Sequence, residues 1–124
     1  MTSYYACKSV VYPMVGGLSS KEERVVHTFA NRLRKRFPEE VRDVLLFGSK
    51  ARGDHHIDSD VDILVITLSD NWRLHDAIRQ VGYELDESID NRLSIQVISE
   101  RRFAHARDRH FQFASSVLEE GIRV

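Results

Sequence analysis

Hydrophobic residues recur at helical spacing in the first patterned segment of the chain. Ser20 and Glu23, three positions apart, have the spacing of a capping box at the start of a helix. The apolar positions that follow lie on one helical face until a proline ends the pattern: Val26, Phe29 (or Ala30), Leu33 and Phe37, then Pro38. The pattern therefore predicts a helix that begins at Ser20 and ends before the proline.

Three short apolar runs predict β-strands. Val41–Phe47 ends in four consecutive apolar residues, which is typical of a strand buried on both faces. Val61–Leu68 is a second strong candidate, and Ser94–Ile98 is a third. Gly48–Ser59 is polar and contains glycine, so we expect a loop there, with room for one helical turn.

Two further segments have helical patterns. One begins at about Asn71 and carries an apolar stripe: Leu74, Ile78, Val81, Leu85 and Ile89. The other runs from Glu100 to Glu120, with Gly121 as its stop signal. Its expected inward positions are Phe111, Ala114, Val117 and Leu118. The order of elements predicts an α/β (α+β) fold, a small mixed sheet flanked by helices.

The length of the chain bounds its organisation. Its 124 residues leave room for one domain, and an apolar or aromatic fraction of 42% is enough for a core. Residues 1–18 show no hydrophobic period, because Pro13 and two glycines interrupt them. We therefore expect an N-terminal extension over residues 1–19 and a single domain over residues 20–124.

Charge and cysteine content exclude several classes of partner. With 18 basic and 19 acidic side chains, the net charge of -1 gives no general affinity for nucleic acid or an anionic membrane. Cys7 is the only cysteine, which rules out an intramolecular disulfide and fits a reducing cytoplasm. We see no basic-then-apolar leader and no run of 18 apolar residues, so we expect a soluble cytoplasmic protein without a membrane partner.

Two carboxylates stand at the start of the second predicted strand. Because strand residues alternate between faces, Asp60 and Asp62 should point the same way. Paired carboxylates repel each other and are costly to bury unless a cation lies between them. Oxygen ligands, with neither cysteine nor a fitting histidine pair, favour Mg²⁺ or Mn²⁺ over zinc.

A second chemical signal lies where the first predicted strand ends. Gly48 lets a phosphate approach the backbone closely, and Ser49 adds a hydroxyl and an N–H donor. Lys50 and Arg52 follow and can neutralise further phosphate charge. Donors on one strand end and metal ligands on the next would face the same anion, as phosphoryl-transfer chemistry requires.

Together these residues resemble the signature of the polymerase-β-like nucleotidyltransferases. That signature is Gly-Ser, ten residues, then Asp-x-Asp, and the chain matches it without a gap from Gly48 to Asp62. The chain is most similar to the minimal nucleotidyltransferases of bacteria and archaea, which include antitoxins paired with HEPN-domain toxins. The resemblance extends from about Ser20 to the C-terminus, including the ending Leu118–Ile122.

The resemblance implies a role for each matching residue. Gly48 and Ser49 would hold the triphosphate of ATP or another nucleoside triphosphate, and Asp60 and Asp62 would be catalytic and bind the metals. Arg52 would make a supporting contact with phosphate or with the loop. The implied fold is that of the polymerase-β-like nucleotidyltransferases.

The chain departs from the family at the third carboxylate. Active members usually supply one from the next strand, where it helps to activate the attacking hydroxyl. In Leu93–Ile98, we expect Gln96 to be the inward polar position. Glutamine is a poor metal ligand and cannot act as a general base. Nucleotide binding therefore survives this departure better than catalysis does.

Several other polar features favour ordinary structural explanations. His55 and His56 are adjacent on a polar loop and should point apart, so a solvated loop is favoured over a metal site. Trp72 is expected to pack in the core or at an edge and not to form a base-stacking platform. The basic stretch on the last predicted helix, from Arg101 to His110, is expected to be a solvated face.

Two functions follow from these expectations. The first is an enzyme that transfers a nucleoside monophosphate, AMP from ATP, to a hydroxyl of a protein partner that resembles a HEPN toxin. The second is a catalytically weak nucleotide-binding module that neutralises such a partner by contact. An enzyme of the antibiotic-modifying kind would need an added domain. The preferred base, the acceptor atom and homo-oligomerisation are left open.

Overall fold

A computed structural model describes residues 17–53 and 59–124. Within these residues four strands form one mixed sheet in the order β3-β2-β1-β4. The strands are β1 (Val41–Phe47), β2 (Val61–Thr67), β3 (Leu93–Ser99) and β4 (Ile122–Arg123). β1 pairs antiparallel with β2 and β4, whereas β2 and β3 are parallel. The predicted mixed sheet is confirmed, and each of the three predicted strands is present.

Helices cover both faces of the sheet. They are α1 (Ser20–Arg36), α2 (Ser49–Arg52), α3 (Trp72–Tyr83), α4 (Glu100–Asp108) and α5 (Gln112–Glu120), with a 3₁₀ turn at Asp86–Ile89. The single helical turn expected after Gly48 is α2. Over the described ranges, none of the helices has the length and apolar character needed to cross a membrane.

Alternation along β2 divides the core into two clusters. Odd-numbered residues such as Ile63 and Val65 pack with the apolar stripes of α1 and α3. Even-numbered residues, Leu64 and Ile66, pack instead with residues of α4 and α5. Both faces of a central strand are therefore buried, which explains why its sequence is a continuous apolar run. Asp62 is even-numbered and lies on the α4–α5 face of the sheet.

The capping box of α1 lies one residue earlier than predicted. Ser19 is the N-cap: its Oγ accepts from the Glu22 N–H at 3.1 Å, and Glu22 Oε1 accepts from the Ser19 N–H at 2.9 Å. The prediction that Ser20 and Glu23 form this box is therefore wrong. Both pairs have the same spacing, so the local sequence does not distinguish them. With Ser19 as the N-cap, Glu22 is buried and only 1% exposed.

The helix that starts near Asn71 is shorter than its apolar stripe. α3 ends at Tyr83, and the chain continues through the 3₁₀ turn. Leu85 and Ile89 still pack against the core, so the stripe predicts burial correctly but not continuity. Asp90 and Asn91 then adopt left-handed conformations, each with φ 57°, which these residue types tolerate. This turn reverses the chain into β3.

The C-terminal segment consists of two helices, and the prediction of one helix is wrong. α4 and α5 are separated at Arg109–Phe111, where His110 has a φ of 56°. Ala114 and Val117 are buried as expected, whereas Phe111 is 52% exposed and does not face inward. The break allows both short helices to cover the same face of the sheet.

Gly121 ends α5, as predicted, in an extended conformation with a φ of -60° and a ψ of 135°. A Cβ at this position would lie 2.4 Å from the Val117 carbonyl oxygen, so close approach of backbone is what requires glycine. The chain then enters β4, a two-residue strand that hydrophobic periodicity did not predict. Two residues are too few to show a period.

The described part of the chain begins just before α1. Residues 1–16, most of the expected N-terminal extension, lie outside the described residues. The Gly17 N–H donates to the Lys50 carbonyl at 2.6 Å, and Leu18 packs against the core. These two residues therefore contact the domain directly.

Candidate functional site

The ends of two neighbouring strands form the candidate site. In the antiparallel register Phe47, the last residue of β1, pairs with Asp62 at the start of β2. Gly48 follows at once and has a φ of 76° and a ψ of -158°. A Cβ at Gly48 would lie 2.4 Å from Asp62 Oδ2. The structure thus brings together the Gly-Ser turn and one of the two predicted carboxylates.

The turn after Gly48 is closed by its own backbone. The Gly48 carbonyl accepts from the Ala51 and Arg52 N–H groups, both at 3.1 Å, and the Ser49 carbonyl accepts from Gly53 at 2.9 Å. The first N–H groups of a helical turn have no acceptor within the helix. At α2 those groups belong to Ser49 and its neighbours, next to Asp62.

Asp62 lies in an electrostatically unfavourable environment. Burial raises the pKa of its carboxyl, and the charge of Asp60 raises it further. A hydrogen bond from Ser94 and the charge of Arg52 act in the opposite direction, but the pKa remains above its usual value. A partly buried carboxylate with a second one beside it is stabilised by a cation. Asp60 itself is exposed and immediately precedes β2, so it acts on Asp62 through its charge.

Ser94, and not Gln96, lies across from Asp62. The parallel register of β2 and β3 pairs Asp62 with Ser94 and Leu64 with Gln96. A side-chain hydrogen bond from Ser94 lowers the pKa of Asp62. Gln96 is exposed and lies two residues further along β3. The prediction that Gln96 is the inward polar position is therefore wrong. Both residues share a face of β3, so only the register decides which of them reaches the site.

Lys50 does not face the site. Its side chain is buried, at 1% exposure, and its Nζ lies 3.2 Å from Glu22 Oε1. The prediction that Lys50 neutralises phosphate is wrong, because the folded chain uses its charge internally. Lysine is rarely buried unless it is paired. Spacing along the sequence did not indicate that Lys50 has such a partner.

Arg52 remains on the surface beside the site. Its Nη1 lies 2.9 Å from Glu120 Oε2, and its side chain is 41% exposed. Exposed ion pairs of this kind contribute little to stability, so the guanidinium can exchange partners at small cost. Its charge also acts on the Asp62 carboxyl.

Two residues at the site escaped the sequence analysis. They are Glu22 and Arg92. Glu22 Oε2 accepts a hydrogen bond from Arg92 Nη1 at 2.6 Å, and the same nitrogen donates to the Ser59 carbonyl at 3.0 Å. Ser59 immediately precedes Asp60. The only sequence signal was the second possible capping box, in which Glu22 takes the place of Glu23.

The remaining candidates lie elsewhere. His55 and His56 fall outside the described residues. Trp72 is 68% exposed, so it does not pack in the core. At the start of the basic stretch, Arg101 and Arg102 pair with Asp70 at 3.2 Å and 3.5 Å and remain mostly exposed, as expected of a solvated face. The described ranges contain no cluster of three or more metal-ligating side chains.

A comparison with protein families matches the sequence around this site to a known domain. The family model for the nucleotidyltransferase domain matches residues 26–119, which include the Gly-Ser turn and both aspartates. This chain belongs to the nucleotidyltransferase domain family. The fold and the family expected from the Gly48–Asp62 signature are therefore confirmed.

Individual relatives agree with this assignment. A protein of Methanocaldococcus jannaschii, named "putative protein adenylyltransferase", is 40% identical over 45 residues. The matching segment covers 36% of this chain and 45% of the relative. The chain therefore spans less than half of the relative's length.

Solved structures share the fold. One from Sulfolobus solfataricus, described as a "putative nucleotidyltransferase", has a TM-score of 0.50 and 20% identity, covering 81% of this chain and 76% of that one. A toxin–antitoxin structure with AMP-PNP has a TM-score of 0.50 and 22% identity, covering 79% and 70%. At these identities the likeness concerns the fold alone.

Proposed function

We propose that this nucleotidyltransferase domain transfers AMP from ATP to a hydroxyl of a protein partner in the cytoplasm. The observation that carries the proposal is the close approach of Gly48 to Asp62, which joins a phosphate-binding type of turn to a carboxylate. The name of the Methanocaldococcus relative supports adenylyl transfer to protein. The fold shared with a toxin–antitoxin structure supports a toxin partner, which we propose is of the HEPN type.

In this proposal the turn holds the triphosphate. The absence of a side chain at Gly48 leaves the backbone open to a phosphate, and Ser49 supplies an N–H and a hydroxyl as donors. Arg52 reaches the phosphates by leaving its exposed pair with Glu120. Positive charge from Lys50 is not available, since that residue is paired with Glu22.

Asp60 and Asp62 would hold Mg²⁺ or Mn²⁺. Their fit to a divalent cation rests on the raised pKa of Asp62, which burial and the Asp60 charge produce and which a cation would reverse. Two carboxylates suffice, because Mg²⁺ in proteins commonly completes its shell with water and substrate phosphate oxygens. When bound, the cation would neutralise negative charge that develops on the phosphate.

The chemical step forms a bond between the acceptor oxygen and the α-phosphorus and breaks the bond to pyrophosphate, which leaves. The acceptor hydroxyl must also lose its proton. Active family members usually supply a carboxylate from the next strand, and at the position of that strand opposite Asp62 this chain has Ser94. A neutral hydroxyl is a poor general base, and general-base help is worth about 10²–10⁴-fold in rate. We therefore expect slow transfer unless the partner supplies a base.

Ser94 also favours the second candidate, a nucleotide-binding module that neutralises its partner by contact. Ser94 donates to Asp62 and lowers its pKa relative to burial alone, so it stabilises a metal-binding carboxylate without adding a base. Binding of nucleotide would then be retained while transfer is lost.

A pair of aspartate variants separates the two candidates. In Ser94→Asp the new carboxylate lies opposite Asp62, so AMP transfer from α-labelled ATP to a co-purified partner should rise by about tenfold or more. Gln96→Asp is the matched control, because it adds the same charge beside Leu64 and should leave the rate unchanged.

The outcomes are distinct. Slow transfer in the parent that rises only in Ser94→Asp supports the enzyme. A rise only in Gln96→Asp would show that the register has been misassigned. No transfer in any form, with the partner still inhibited by the parent domain, would support the binding module.

A further inference from the structure

Glu22 is a buried carboxylate shared by three donors from separate parts of the chain. Its Oε1 accepts from the Ser19 N–H at 2.9 Å and from Lys50 Nζ at 3.2 Å, and its Oε2 accepts from Arg92 Nη1 at 2.6 Å. The Glu22 and Lys50 side chains are each 2% exposed, and that of Arg92 is 18% exposed. One carboxylate thus links α1, α2 and the start of β3.

Each cation is attached to one half of the candidate site. Lys50 belongs to α2, directly after the Gly-Ser turn, and its own carbonyl accepts from Gly17 at 2.6 Å. Arg92 holds the other half in two ways: its Nη1 donates to the Ser59 carbonyl at 3.0 Å, and its carbonyl accepts from the Val61 N–H at 2.9 Å. Those two contacts enclose Asp60.

Stability alone does not account for such a network. Burial acts to raise the pKa of Glu22, and the bonds from Ser19, Arg92 and Lys50 outweigh it, so the pKa is lowered and the carboxylate stays charged. Apolar residues of similar size are often as stable as a buried ion pair, or more stable, because ions lose their hydration. What apolar packing does not provide is directional bonding to two separate backbone segments.

We propose that Glu22, Lys50 and Arg92 form a positioning clamp that fixes the Gly48–Ser49 turn relative to the Ser59–Asp60 entrance of β2. This clamp rests on the proposed function, since it sets the distance between the triphosphate site and the metal carboxylates. None of the three residues touches the substrate. They act through the backbone that carries the binding groups.

Lys50→Met and Arg92→Met loosen one arm each. Glu22 keeps Arg92 and Ser19 in the first variant and keeps Lys50 and Ser19 in the second, so neither leaves the carboxylate without a partner. Arg123→Met is the matched control. It removes the 3.3 Å pair between Arg123 and Asp43, whose side chain is 4% exposed, near the start of β1 and away from the site.

The first measurement uses protein without nucleotide. Amide hydrogen exchange should accelerate by about tenfold or more at residues 51–53 in Lys50→Met and at Val61 in Arg92→Met, because local opening sets exchange rates. The control should leave both segments at parental rates while lowering the melting temperature. Arg92→Lys keeps the cation and should restore most of the protection, and it also serves if Arg92→Met does not fold.

The second measurement is Mg²⁺-ATP affinity by calorimetry, well below the lowest melting temperature. We expect the dissociation constant to rise by about tenfold or more in each clamp variant, because binding must then also order the loosened segment. The control should bind like the parent.

The clamp and the proposed function fail in different ways. Unchanged exchange and unchanged affinity in both clamp variants, with a lower melting temperature, would show a purely structural network and overturn the clamp. A parent protein that does not bind Mg²⁺-ATP would overturn the proposed function and the positioning role with it, even if the exchange rates change as expected.

Discussion

Both the backbone conformation at residue 48 and the space around it require glycine. The combination of φ 76° and ψ -158° lies in a region that is essentially restricted to glycine. A Cβ there would also lie 2.4 Å from Asp62 Oδ2. The residue type that the sequence suggested for phosphate approach is therefore required even before any ligand binds.

Gly48→Ala should be costly for both reasons. We expect a loss of about 1–3 kcal/mol in the free energy of unfolding, measured with urea, and a weaker affinity for Mg²⁺-ATP. Gly53→Ala is the control: Gly53 also has a positive φ, 82°, but a Cβ there meets nothing within 4 Å. It should lose less stability and bind nucleotide like the parent. Equal losses in the two variants would show that the contact with Asp62 is unimportant.

Residue types and spacing predicted the candidate site, but not the contacts of each side chain. Gly48, Ser49, Asp60 and Asp62 stand out because few other functions need these residues at this spacing. From the sequence, Lys50 was expected to contact phosphate as well. In the structure it pairs with Glu22, a residue 28 positions away. Such a pairing depends on the tertiary fold, which local sequence does not contain.

Among the helices and strands, α1 has two serines in sequence that could serve as its N-cap. Ser19 and Ser20 are followed by Glu22 and Glu23 with identical spacing, so either pair satisfies the capping-box pattern. The structure selects Ser19 and Glu22, which directs Glu22 into the protein and leaves Glu23 near His27 on the surface side.

Serine-to-alanine variants distinguish the two caps. Ser19→Ala removes the acceptor of the Glu22 N–H and should lower the free energy of unfolding by about 1 kcal/mol. Ser20→Ala, inside the first turn, should change it by less than about 0.5 kcal/mol. Thermal or urea unfolding of both variants provides the measurement, and a larger loss in Ser20→Ala would contradict the observed cap.

Element prediction succeeded where an apolar pattern was long and failed where the chain had to turn. Strong runs predicted β1 and β2 because both of their faces are buried. The break at His110 and the end of α3 at Tyr83 lie within continuous helical patterns and are set by packing of the following segments. β4 exists through its pairing with β1, which only the folded chain provides.

At the scale of the whole molecule, Asp43 connects the centre of the sheet to its C-terminal edge. It lies in β1, is 4% exposed, and pairs with Arg123 of β4 at 3.3 Å. Burial raises the pKa of Asp43 to about 6, although Arg123 and Arg34 lower it. This carboxyl therefore binds its proton more tightly in the folded protein than in the unfolded chain, where its pKa is about 3.8.

The sign of the pH effect follows from this difference. The contribution of Asp43 to stability is fully present below about pH 3.8 and is lost as pH rises to about 6. In Asp43→Asn this titration is absent, so the stability of the variant relative to the parent should increase between pH 4 and pH 7, by at most about 3 kcal/mol. Urea unfolding across this range measures it, and a difference that stays constant with pH would contradict the raised pKa.

In the proposed function Asp60 and Asp62, together with the Gly48–Ser49 turn, bind a magnesium–nucleotide complex. Calorimetric titration of Mg²⁺-ATP into the parent and into the double variant Asp60→Asn, Asp62→Asn tests this assignment. The variant should fold, because it removes a repulsion, and it should lose binding. Asp76→Asn with Asp108→Asn is the matched control, since it removes two charges from largely exposed side chains elsewhere and should bind like the parent. Equal affinity in the parent and the Asp60, Asp62 variant would show that these two carboxylates do not bind the magnesium–nucleotide complex.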